Sequence, residues 1–329
     1  MKTASTLPVM PGKLVRHIDY LHLGHWSSKA LATCTLLALG GLDWVWAWRA
    51  GLSFIHFQTI GMVVASLLLL GHFYAASGRS TSLADMANYG ALWIGFSVLA
   101  AIFTYLTASL GFPLCDAGLA GIDSALGFDW LAWFHFVSAH PPLRLLLAIV
   151  YSSLMVQIAG SIIYFSHCRR GERNDELWWC ALVSLLFTGI ISGIFPALGA
   201  FVTFNVAERA MATHLPHLLA LRGAGISSFA LQDMQGIISL PSYHTVLAIL
   251  LIYVHRGERR RFSVIAVING FMLLSVPSEG GHYLIDMIAG GSVAIFSILL
   301  VRAALRYAPS RRETIIVRQS LVSPQFTDK

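Results

Sequence analysis

The chain has 329 residues, of which 56% are hydrophobic and 12% charged, with a mean hydropathy of +0.69 and a formal charge of +6. That is too apolar for a soluble domain of ordinary composition and describes an all-α, polytopic membrane protein. The positive balance calls for no nucleic-acid partner, because membrane topology and anionic headgroups account for it.

The first 30 residues are broken by Pro8, Pro11, Lys13, Arg16 and His17 and lack a signal peptide's apolar core. They read as an uncleaved cytoplasmic or interfacial N-terminus. A membrane domain is expected over 31–305, followed by a polar cytoplasmic tail over 306–329. A helix rises ~1.5 Å per residue and the bilayer core is ~30 Å thick, so long apolar runs read as spans. Eight such runs occur, near 31–48, 53–76, 88–111, 143–166, 176–203, 243–255, 262–277 and 283–305, the sixth and seventh being short. Within them His72, Gln157 and Asn269 read as packing or helix-pairing groups. Cys34, Cys115, Cys168 and Cys180 show no metal-type spacing and read as packing residues.

Alternation across these runs puts 18 of the 22 basic residues on one side, leaving Arg49, Arg144, Arg209 and Arg222 on the other. The positive-inside rule then places both termini in the cytoplasm. The basic loops on that side read as solvated anchors. Two longer loops fall on the opposite, outer face. One, near 112–142, carries Asp116, Asp123, Asp129, Trp130 and Trp133 and suits a short interfacial helix. The other, near 204–240, carries Glu208, Arg209, His214, His217, Arg222 and Asp233 and leads straight into a histidine motif.

That motif is Pro241-Ser242-Tyr243-His244-Thr245, and a second, His282-Tyr283-Leu284-Ile285-Asp286, opens the last apolar run. A two-helix hairpin between them returns both histidines to one face. Ser239 or Ser242 can cap the helix that begins near Pro241, aiming free amides and the positive dipole end at a phosphate. His244 can then protonate a leaving oxygen. His282 and Asp286 are four residues apart on one helical face, where the carboxylate can fix the imidazole tautomer and leave the other nitrogen as a nucleophile. Gly280-Gly281 permit close backbone approach and Gly290-Gly291 close helix packing. Tyr243 and Tyr283 flank the histidines as candidate pocket residues. An ionisable group such as Asp286 in an apolar run is costly without a partner, which itself points to function.

The paired motifs resemble those of the type 2 phosphatidic acid phosphatase superfamily, a Pro-Ser-x-His motif followed by His-x-x-x-Asp. The Pro-Ser-Tyr-His-Thr form, the run Gly-Gly-His-Tyr-Leu-Ile-Asp-Met-Ile-Ala-Gly and Phe195-Pro196-Ala197 further resemble bacterial relatives of the fungal inositol phosphorylceramide synthase. The resemblance covers 190–295 most firmly and implies a six-helix core within about 143–305, a metal-independent phosphoric ester hydrolase or headgroup phosphotransferase without cofactors, and a phospholipid or sphingolipid-type substrate. It assigns His282 as the nucleophile that becomes phosphohistidine, Asp286 as its orienting partner and His244 as general acid. It places the protein in a bacterial inner membrane, and the distribution of basic residues puts the active site on the outer face.

Two departures matter. No lysine lies between Lys29 and Lys329, so the superfamily's Lys-x6-Arg-Pro motif is missing, and Ser275-Val276 stands where Ser-Arg is usual. Arg222, then Arg209, are therefore the expected phosphate-binding cations, with His214 and His217 behind them and Ser242 and Tyr243 completing the substrate contacts. Fewer cations suit a diester. A non-enzymatic use of the same histidines, in a haem-binding electron carrier or a transporter, fits less well: haem ligands belong near mid-helix, and a transporter shows broken helices in matching halves.

Overall fold

The structure, a computed structural model, describes residues 28–206, 213–223 and 228–307. The chain folds as α1 (Ser28–Ala50), β1 (Ser53–Ile55), α2 (Phe57–Ala76), α3 (Thr81–Ala108), α4 (Asp116–Ala125), α5 (Trp130–Ala139), α6 (Pro141–Ser152), α7 (Leu154–His167), α8 (Gly171–Ile194), α9 (Ala200–Thr203), α10 (Leu215–Arg222), β2 (Ser228–Ala230), α11 (Tyr243–Val254), α12 (Arg259–Gly280) and α13 (Leu284–Tyr307). Among the described residues six helices are long and apolar enough to cross a membrane, α1, α2, α3, α8, α12 and α13. The protein is an all-α polytopic bundle, with β1 and β2 forming only a short parallel ribbon. The expected N-terminal segment falls outside the described residues apart from its last three, and the tail over 308–329 lies outside them.

Each expected span corresponds to helix, and three of them differ from expectation. The fourth is α6 and α7, bent by 49° at Ser153, whose hydroxyl donates to the Val150 carbonyl at 2.6 Å and competes with the helical ladder. The fifth starts earlier and stops at Ile194, because Pro196 cannot donate to the ladder and keeps Phe195 out of the helical region. The sixth, α11, is indeed short at 12 residues. The seventh is not: α12 runs for 22 residues through Pro277 in its last turn, so a full-length helix returns the chain to the histidine face.

The two most enclosed of the long apolar helices, α3 and α8, pack against each other, and α8 also packs against α11 and α13. The central cluster gathers Trp93, Phe96, Phe165, Leu177, Trp178, Leu250, Leu251 and Met272. By contrast α2 buries only Gly71 and stands at the rim, its apolar side chains facing outward as lipid-facing residues do. Inside the bundle the Asn269 amide donates to the Gln157 carbonyl oxygen at 2.8 Å and ties α12 to α7, the helix-pairing role expected for both, while His72 is exposed.

On the face opposite the histidines, the basic loops are more than solvated anchors. Buried Glu176 accepts from Arg256 at 2.6 Å and Arg173 at 3.1 Å, and Glu258 joins Arg170, Arg261 and the Tyr164 hydroxyl. Arg256 also lies 3.8 Å over the Tyr253 ring. These pairs bind the loops before α8 and after α11 to each other.

Candidate active site

The two histidine motifs are joined by backbone and side chain. Ser242 caps α11, its hydroxyl accepting from the Thr245 amide at 3.4 Å, so the helix starts two residues after Pro241. The Ser242 amide donates to the Asp286 carbonyl at 2.9 Å. A β-carbon at Gly290 would stand 2.5 Å from the Ser242 carbonyl oxygen, so only glycine lets α13 lie flush against the start of α11.

Ser239 is the hub of this junction. Its hydroxyl donates to Asp286 Oδ2 at 2.9 Å, and its carbonyl lies 2.9 Å from His282 Nδ1. A carbonyl oxygen only accepts, so Nδ1 carries the proton and Nε2 is left with a lone pair. Asp286 Oδ2 is 3.4 Å from Nδ1 and also accepts the Tyr283 amide at 2.9 Å. The carboxylate thus supplies negative charge beside the ring, while the tautomer-fixing bond expected from Asp286 goes to Ser239.

The Gly280-Gly281-His282 turn is held from several sides. Gly281 has φ +66°, and its carbonyl accepts from the Ala200 amide at 2.8 Å. Trp130 Nε1 donates to the His282 carbonyl at 3.0 Å. Asp123 on α4 accepts from the amides of Leu284 at 2.7 Å and Ile285 at 2.9 Å, capping α13 from a helix about 160 positions away. Burial raises the Asp123 carboxyl above its usual range, and the two amides oppose that shift. Asp116 accepts from Leu198 and Gly199, both at 2.9 Å, and from the Tyr283 hydroxyl at 3.0 Å. The aspartate-rich segment near 112–142 is therefore two short helices that brace the Gly280-Gly281-His282 turn. Asp123→Ala removes a cap worth about 1 kcal/mol and loosens the His282 backbone. A drop in turnover of about tenfold or more is expected, with Asp123→Asn recovering part of it; steady-state kinetics on detergent-solubilised protein checks this.

His244, His282 and His214 line one cavity of about 520 Å³, together with Ser239, Tyr243, Tyr151 and Glu279. The Tyr151 ring stacks on His244 at 4.2 Å with its hydroxyl 3.3 Å from Nδ1, and the Tyr243 hydroxyl donates to the Ala181 carbonyl at 2.8 Å. Burial, then the neighbouring His282, lowers the His214 pKa. Among the described residues the lining contains no lysine or arginine.

Other expected contacts fall elsewhere. Arg222 ends α10 and its guanidinium donates to the Phe112 carbonyl at 2.7 Å, so the structure does not bring it to this cavity. Arg209 and Glu208 lie outside the described residues. His217 pairs with the Tyr105 hydroxyl at 2.7 Å, away from the lining, whereas His214 reaches it. Ser242 is buried as a cap and Tyr283 is buried against Asp116, so of Ser242, Tyr243 and Tyr283 only Tyr243 lines the cavity. Sequence reasoning gave Ser239 no more than a capping role and passed over Tyr151 and Glu279. Asp116, Asp123 and Trp130 were visible only as a carboxylate-aromatic cluster.

The fold is that of an integral membrane protein, with a cavity that gathers His214, His244 and His282 and with Asp286 buried behind His282. The family model described as PAP2 superfamily matches residues 117–300, and the chain belongs to that superfamily. Its members are generally phosphatases that act on phosphorylated lipid-type substrates, which supports a phosphatase-type activity for this membrane protein. Comparison with curated proteins and with solved structures returns no match.

Proposed function

We propose that the protein processes a lipid phosphate or phosphodiester headgroup through a phosphohistidine at His282, without a metal ion. The observation that carries the proposal is the Nδ1 bond to the Ser239 carbonyl, which leaves Nε2 free for phosphorus. In the first step Nε2 attacks phosphorus, the bond to the leaving oxygen breaks, and His244 gives that oxygen its proton. In the second, water or an acceptor hydroxyl attacks the phosphohistidine, returning a proton to His244 and releasing Nε2. Asp286 and Ser239 position the nucleophile and favour the cationic imidazole of the intermediate.

With the Thr245 amide taken by the Ser242 cap, the Tyr243 and His244 amides at the start of α11 suit an anionic oxygen, with His214 as a further contact. Among the described residues the lining carries no lysine or arginine, which favours a diester because it brings less charge than a terminal phosphate. That preference, with the Gly-Gly-His-Tyr run, supports a headgroup transferase resembling inositol phosphorylceramide synthase, acting on a phospholipid or sphingolipid-type donor. The distribution of basic residues supports cytoplasmic termini and an active site on the outer face of a bacterial inner membrane.

The other end of the cavity is apolar, lined by Trp93, Phe96, Leu154, Met155, Leu185 and Leu247. A neighbouring cavity of about 500 Å³ shares Trp93, Ser97, Ala101, Met155 and Met234 with it and reaches Ile60 on α2. Acyl chains fit this path between α3 and α7. Ala101→Trp is expected to raise KM for long-chain substrates about tenfold while sparing short-chain analogues, as chain-length series would reveal. The reading as a whole is tested by headgroup or phosphate release in detergent, with chelator present, from a panel of lipid phosphates and phosphodiesters. Release from a lipid ester supports it, and no release from any member of the panel contradicts it.

A further inference from the structure

Beside the histidine cavity lies a second, more polar one of about 350 Å³, lined by His135 and Ser138 of α5, Arg144 of α6 and Ser278 and Glu279 of α12. Glu279 lines both cavities and stands three residues before His282. A β-carbon at Gly280 would come within 2.7 Å of His282 Cδ2 and 2.8 Å of the Tyr151 hydroxyl, so the backbone between Glu279 and His282 is packed hard against the site. Glu279 makes no ion pair among the described residues, and Arg144 acts on it only at a distance.

We propose that this polar cavity is the subsite for the alcohol side of the reaction, and that it takes a neutral, water-soluble alcohol carrying several hydroxyls. The inference rests on the phosphohistidine reading above and specifies what meets the intermediate. One guanidinium and one carboxylate give the cavity no net charge from its ionised side chains. Arg144 only donates, ionised Glu279 only accepts, and Ser138, Ser278 and His135 do both, which matches vicinal hydroxyls that each offer a donor and acceptors. A cationic headgroup is disfavoured by Arg144 and an anionic one by Glu279. In the transfer step one hydroxyl oxygen bonds to phosphorus, the Nε2–P bond breaks and the hydroxyl proton passes to His244. Glu279, at the junction, accepts from a neighbouring hydroxyl and aims the attacking one.

The test is the partition of the phosphoryl group between water and added alcohol, measured as the ratio of transfer product to hydrolysis product. Glycerol and sorbitol are compared with methanol and 1-propanol at equal molarity. A ratio cancels any change in how fast the intermediate forms. The polyols are expected to capture at least tenfold more phosphoryl per molar alcohol than the monohydric alcohols. Glu279→Gln and Arg144→Ala should each remove most of that advantage, and Glu279→Asp should retain part of it. Equal capture of polyols and monohydric alcohols by the unaltered protein overturns the proposal, as does a polyol advantage unchanged in both variants. A His282 phosphoenzyme that hydrolyses but never transfers to any alcohol also overturns it. Absence of any phosphohistidine defeats the proposed function itself, so the two failures are distinguishable.

Discussion

Replacing His282 by alanine is expected to reduce turnover to background, a loss of at least about 10⁴-fold, because in the proposed mechanism His282 carries the covalent intermediate. His282 is 5% exposed, its Nδ1 is engaged by Ser239, and its ring edge opens into the shared cavity. The substitution leaves the Gly281 and His282 carbonyl bonds to Ala200 and Trp130 available, so the fold is expected to survive. Thermal unfolding in detergent within a few degrees of the unaltered protein, together with lost release of headgroup or phosphate, is the expected pair of results. Substantial turnover by the folded variant would move the nucleophile elsewhere.

His244→Ala is the second large effect, about 10² to 10⁴-fold, the usual contribution of a positioned general acid. Its signature is dependence on the leaving group. An ester whose alcohol leaves unaided, such as a p-nitrophenyl phosphodiester, needs no proton and should lose far less than a lipid ester with an alkyl leaving group. The stacked Tyr151 ring and the burial of Thr245 and Val246 beside it hold His244 in place, so the variant leaves a gap in a preformed wall. Equal losses for both kinds of ester would assign His244 a binding or packing role instead.

Much of this architecture was legible in the chain because each membrane helix announces itself locally. Apolar runs locate α1, α2, α3, α8, α12 and α13, and the alternation of faces brings Ser242, His244 and His282 to one side. What stayed hidden depends on contacts between distant segments. Ser153 looks like any small polar residue in an apolar run, yet its bond to Val150 accompanies a 49° bend. Asp123 caps α13 from about 160 positions away in sequence, and no local period carries such a pairing. The same holds for Ser239, whose importance lies in meeting His282 and Asp286 at once. Arg222 illustrates the converse: proximity in sequence to the α11 motif suggested a phosphate contact, whereas α10 carries its guanidinium to the Phe112 carbonyl.

The central claim is a covalent phosphoryl group on His282, and the most direct measurement is to trap it. Rapid acid-free quenching of the protein with a labelled phosphoester, followed by peptide mass spectrometry, should place one phosphoryl on the peptide containing Gly280-Gly281-His282. The adduct should be acid-labile and alkali-stable, and should accumulate when acceptor and water attack are slowed at low temperature. Turnover with no such adduct at His282, or with the phosphoryl on another residue, would contradict the account.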